Sequence, residues 1–118
     1  MHHGVLTCAA SDSIQEVAAV MANHRIHAVV ITATNEERPV GVVSDLDVLA
    51  AVATGTDCTA AQAAATETLT VFGDEPLHRA AHLMNEHGVS HIVVLDAAGG
   101  HPIGVLSSLD VAAVYAES

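Results

Sequence analysis

At 118 residues the chain fits one compact domain, and an apolar content of 51% is ample for a core. That content comes from Ala, Val, Ile and Leu, with one Phe, one Tyr and no Trp, so aromatic platforms for single-stranded nucleic acid are missing. Fourteen acidic residues against three Arg and no Lys give a formal charge of -11, which repels DNA, RNA and anionic membrane surfaces and leaves small anions held by local donors as compatible partners.

No apolar stretch approaches the ~20 residues of a membrane span. Met1-His2-His3-Gly4 lacks the basic start and apolar run of a signal peptide, and the chain opens directly on its first structural segment, as a piece of a longer protein would. Cys8 and Cys58 form no CxxC pair. The expected setting is therefore the reducing cytoplasm.

Taken in chain order, a short apolar segment at Val5 to Cys8 is followed by Ser11-Asp12-Ser13, a helix-start signal. Ile14, Val17, Ala18 and Met21 then recur at helical spacing, which predicts a helix with one buried face, ending near Arg25. Ala28-Val29-Val30-Ile31 is too densely β-branched for a solvent-facing strand and predicts a central one covered on both sides. The polar stretch Thr34 to Arg38 turns the chain into a hairpin partner, Val40 to Val43, and a second helix starts at Ser44. An Ala-rich connector follows, with boundaries expected at 1–55 for the first unit, 56–65 for the connector and 66–118 for the second unit.

The second unit repeats the first at a constant offset of 63, with 15 of the 48 pairs between residues 6–53 and 69–116 identical. Thr68 to Phe72 opens it, and Asp74-Glu75-Pro76 starts a helix, with Pro76 expected in the first turn, where its missing N–H does no harm. Leu77, Ala80, Ala81 and Met84 form the buried face, and Gly88 supplies a left-handed cap. Ile92 to Leu95 and Ile103 to Leu106 form the strand pair around the turn Ala97 to Gly100, and Ser107 starts the last helix. The fold class expected is α+β: two β-α-β-β-α repeats, each too small to be secure alone, related by a pseudo-twofold.

Gly41-Val42-Val43-Ser44-Asp45-Leu46-Asp47 and Gly104-Val105-Leu106-Ser107-Ser108-Leu109-Asp110 place a hydroxyl and a carboxylate three residues apart where a strand becomes a helix. Two readings of that pattern stand side by side. Ser-x-x-Asp approximates a capping box, worth about 1 kcal/mol of helix stability. The same corner gathers free N–H groups and the positive end of the helix dipole, which suit a phosphate, while Asp47 or Asp110 suits the paired hydroxyls of a ribose.

The duplicated order and its two Gly-apolar-apolar-Ser-x-x-Asp endings resemble a tandem pair of cystathionine-β-synthase-type (CBS) domains, a Bateman module, over residues 4 to 116. The resemblance implies a regulatory module that binds an adenosyl compound in clefts between the repeats, usually as a disc-like dimer. It implies that Ser107 and Asp110 share a cleft with Leu6 and Ile26, and Ser44 and Asp47 share one with Leu69 and Val89. It also places His27, Ala28, Ser90 and His91 at the ligand's edge. His27 and His91 are the candidates for phosphate contact, the competing reading being surface or half-buried neutral imidazoles. Because imidazole titrates near pH ~6.5, a phosphate beside one would make binding pH-sensitive. Ala28 lacks the charge needed to grip a polyphosphate, so AMP, adenosine or S-adenosylmethionine is favoured over ATP, with no cofactor required.

His78 and His82, and His87 and His91, are spaced four apart as zinc ligands are, but no Cys or carboxylate completes a set, and no metal is expected. No activated nucleophile, P-loop or paired acid and base points to an enzyme. Asp47 to Val52 and Asp110 to Tyr115 are apolar enough to pack against a second copy, or against their own sheets. A ligand-free dimerisation module is the alternative function.

Overall fold

The computed structural model describes residues 6–33, 38–64 and 69–117. They divide into two compact units, the first carrying the first repeat and the Ala-rich segment and the second carrying the other repeat.

In the first unit, β1 (Thr7–Ala9) leads to α1 (Ile14–His24), β2 (Ala28–Thr32), β3 (Pro39–Ser44) and α2 (Asp45–Thr54). Strand β2 lies in the middle of a three-stranded sheet, parallel to β1 and antiparallel to β3. This position explains its composition: Val29, Val30 and Ile31 are all fully buried, so both faces of the strand are covered. Helix α1 presents Ile14, Val17 and Met21 to that core at the spacing the sequence dictates. Burying each such side chain contributes about 1.5–3 kcal/mol. The helix starts where Ser13 Oγ accepts from Glu16 N at 3.1 Å, and it stops at Arg25, whose φ of 54° places a non-glycine residue in the left-handed region. The turn expected at Thr34 to Arg38 lies outside the described residues except for Arg38.

Within the Ala-rich segment a short helix, α3 (Ala60–Ala63), packs onto the first unit. Thr59 caps it, Ile14 N donates to Cys58 O at 2.9 Å, Ala60 N donates to Asp12 O at 2.7 Å and Ala61 N donates to Ala10 O at 3.1 Å. Ala60 is fully buried. These backbone bonds tie the start of the expected connector to the β1–α1 turn, and small side chains permit the close approach.

The second unit repeats the plan with β4 (Thr70–Phe72), α4 (Leu77–His87), β5 (His91–Leu95), β6 (Pro102–Ser107) and α5 (Ser108–Ala116). Its sheet has the order β4-β5-β6 and the same pairing senses. Pro76 occupies the N-cap of α4 rather than its first turn, and no side chain caps that end. The shift is by one residue: proline's fixed φ serves the entry to the helix equally well, but it brings no oxygen to accept a backbone N–H. Gly88, at φ 66°, closes α4 as expected. Cys8 and Val71, equivalent positions, are equally buried, which makes Cys8 a core residue. Both cysteines are free thiols. Among the described residues no helix is long and apolar enough to cross a membrane.

Candidate functional site

Each unit carries one strand-to-helix corner. In the first, β3 ends on Ser44, whose extended backbone leaves it as the N-cap of α2. Ser44 N and Ser44 Oγ donate to Asp47 Oδ2 at 2.8 and 3.0 Å, and Asp47 N donates back to Ser44 Oγ at 3.3 Å. The second corner copies this: Ser107 N and Oγ donate to Asp110 Oδ2 at 2.8 and 3.0 Å, and Asp110 N donates to Ser107 Oγ at 3.1 Å. The capping-box reading of Ser-x-x-Asp is therefore realised in both repeats.

Each box uses one carboxylate oxygen, Oδ2, of an acid with two, and Ser44, Asp47, Ser107 and Asp110 are only half-buried. Leu46 N and Leu109 N, which belong to neither box, stand at the positive end of the helix dipole.

The strand registers bring further predicted residues to each corner. Ala28 pairs with Ser44 and His91 with Ser107. Asp45 N donates to His27 O, and Ser108 N donates to Ser90 O, both at 2.9 Å. His27 and His91 are thus not counterparts: His27 matches Ser90, and His91 matches Ala28. His27 is 79% exposed, with its Nδ1 3.3 Å from Asp45 Oδ2, whereas half-buried His91 has its Nδ1 3.0 Å from Ser90 Oγ. The constant offset of 63 contains this asymmetry, along with the exchange of Asp45 for Ser108.

Ile26 packs against the first core, and Leu69 and Val89 pack against the second. Leu6 is exposed just before β1. Leu69 O accepts from Val93 N at 3.0 Å, fixing the segment before β4 beside β5. Among the described residues no group of three or more His, Cys, Asp or Glu is arranged to hold a metal.

Helices α2 and α5 bury no residue completely. Val48 and Ala51 of α2, and Val111 of α5, pack against their own cores, but Leu46 is 69% exposed, Leu109 74% and Tyr115 81%. Both helices thus carry large apolar side chains on the surface of the chain.

The CBS domain model matches residues 1–54 and again residues 61–117. The CBS domain protein PAE2072 from Pyrobaculum aerophilum, solved in complex with AMP, is 33% identical, with a TM-score of 0.82 over 100% of this chain and 95% of its own. The CBS domain pair of protein MJ0100, solved with 5′-methylthioadenosine and S-adenosyl-L-methionine, has a TM-score of 0.86 at 22% identity, covering 99% of this chain and 92% of its own. Hypoxic Response Protein I, solved with two coordinated zinc ions, has a TM-score of 0.76 at 24% identity, covering 96% and 92%. The last two likenesses speak for the fold alone. No curated protein sequence matches the chain.

Proposed function

Because this chain belongs to the CBS domain family, with one copy in each repeat, we propose that it is a regulatory module that binds an adenosyl compound at its strand-to-helix corners. The observation that carries the reading is the duplicated Ser/Asp corner, built to the same geometry in both units, in a chain 33% identical along its whole length to a protein solved with AMP. Asp47 and Asp110 accept from the ribose hydroxyls. Ser44, Ser107, Leu46 N and Leu109 N face the 5′ substituent, with His27, Ala28, Ser90 and His91 at its edge. Leu6, Ile26, Leu69 and Val89 supply the apolar surface and backbone for the base.

AMP, adenosine and S-adenosylmethionine are favoured over ATP, because no Lys exists to hold a polyphosphate and Ala28 stands where a cation would help. The module acts by binding rather than by catalysis, in the cytoplasm. Regulation follows if the ligand has different affinities for two arrangements of the repeats or of a dimer. The dimer is supported by the exposed Leu46, Leu49, Val52, Leu109 and Tyr115, an apolar surface repeated on two helices.

The test is a thermal-shift panel of AMP, adenosine, S-adenosylmethionine and ATP, run beside sedimentation. A raised melting temperature with the first three, and a smaller rise with ATP, supports the reading. A flat response across the panel at millimolar concentration, with a dimer in sedimentation, favours the ligand-free dimerisation module instead.

A further inference from the structure

The two corners share a backbone and differ in charge. The first residue of α2 is Asp45, whose carboxylate is 57% exposed, and the first residue of α5 is Ser108. In the first corner two carboxylates, Asp45 and Asp47, stand within one helical turn, and the nearby imidazole of His27 lies against Asp45 at 3.3 Å. The second corner has one carboxylate, Asp110, among the hydroxyls of Ser90, Ser107 and Ser108, with His91 on the strand beside Ser107. A group approaching the dipole end of α2 therefore meets an extra negative charge that one approaching α5 does not.

We infer that the two corners are selective for different adenosyl ligands: the Ser107/Asp110 corner takes the phosphate-bearing nucleoside, and the Ser44/Asp47 corner takes one whose 5′ group carries no negative charge, with Asp45 as the selecting residue. The inference rests on the corner reading proposed above and adds the ligand class of each site. A phosphate dianion beside an exposed carboxylate is repelled enough to lose about tenfold in affinity, while a neutral thioether loses nothing. Ser108 instead offers a hydroxyl donor at the same point of the helix, with no carboxylate at that position to oppose the dipole. Duplication would thus yield two sites of unlike charge from one backbone plan.

The experiment follows backbone amide shifts by NMR while AMP or 5′-methylthioadenosine is titrated into the wild type and into the exchanged variants Asp45→Ser and Ser108→Asp. AMP is expected to move the Ser107 to Asp110 amides at lower concentration than those of Ser44 to Asp47. Asp45→Ser should strengthen AMP binding at the first corner by about tenfold, and Ser108→Asp should weaken it at the second by a similar factor. The 5′-methylthioadenosine affinities should change much less. Equal AMP affinity at both wild-type corners, or no response of AMP to either exchange while the thioether still binds, would overturn the charge selection alone. Absence of shifts at both corners with both ligands would overturn the corner reading and this inference with it.

Discussion

Replacing Asp110 by Asn separates the capping role of the corner from its ligand role, because the two make different demands on the same side chain. Asparagine keeps a carbonyl oxygen able to accept from Ser107 N, the 2.8 Å bond of the box, but it gives up the charge. Losing a carboxylate at the start of α5 costs about 0.3–1 kcal/mol against the helix dipole, and a charge-assisted bond roughly halves in strength. The ligand-free protein should therefore be destabilised by about 1 kcal/mol. Hydrogen bonds from ribose to a charged acceptor are each worth about 1.5–3 kcal/mol, so the amide should weaken AMP about tenfold. With AMP at about 100 times its wild-type dissociation constant, the ligand adds about 2.7 kcal/mol to wild-type stability and only about 1.4 kcal/mol to the variant's. Urea denaturation of both proteins with and without AMP measures all four values. If the variant loses its 1 kcal/mol but keeps the full AMP increment, Asp110 is a helix cap and nothing more.

Arg25→Gly should stabilise the protein by about 0.5–1 kcal/mol in urea denaturation, since it removes the strain of a left-handed non-glycine residue that the second repeat avoids with Gly88. Ile92→Ala should cost about 3 kcal/mol, and Ile92→Val, which installs the residue that Val29 supplies in the first repeat, about 1 kcal/mol, both read as shifts of the urea midpoint at unchanged slope. Burial, followed by the charges of Asp12 and Glu16, raises the Cys8 thiol above its ordinary value of 9.0. Its protonated form is thus favoured in the fold: that stability is complete below pH 9.0 and is lost as pH rises through the folded thiol's own titration. Cys8→Val should flatten this part of the stability profile, and wild-type Cys8 should react with thiol reagents more slowly than half-buried Cys58. Leu46→Glu together with Leu109→Glu should convert a dimer to monomers in sedimentation without lowering the urea midpoint of the monomer, because both side chains are already exposed within one chain.

Much of the architecture was legible because the decisive signals are local and occur twice. The β-branched runs marked β2 and β5 as covered strands, the spacing of Ile14, Val17 and Met21 marked the buried face of α1, and Arg25 could be placed as a cap from its alignment with Gly88. Two features were not legible. Helix α3 is a four-residue turn inside a run of alanines, where no periodicity distinguishes linker from helix, and its place is fixed by backbone bonds to residues 10, 12 and 14 that sequence does not display. Pro76 signals a helix start but not its register. The place of the two histidines was legible, because the offset of 63 sets His27 against Ser90 and Ala28 against His91, as the strand registers do.

That asymmetry shapes the chemistry of the site. Pairing by register gives one corner whose exposed imidazole lies against Asp45, and another where a half-buried imidazole sits beside Ser90 and opposite Ser107. The two corners share one backbone geometry, as the matching box distances show, because each serine and aspartate stabilises the start of its helix. The neighbouring positions carry no such structural duty: residues 45 and 108 are exposed first-turn positions where aspartate and serine are both acceptable. Ligand choice can therefore diverge between the corners at little cost in stability, and the residues that differ are the informative ones. A protein carrying Asp45→Ser and Ser108→Asp together should keep nearly the wild-type urea midpoint while the preferred corner for AMP changes from the second repeat to the first. A loss of several kcal/mol of unfolding free energy would show that the charge difference serves folding, and the argument from structural freedom would fail.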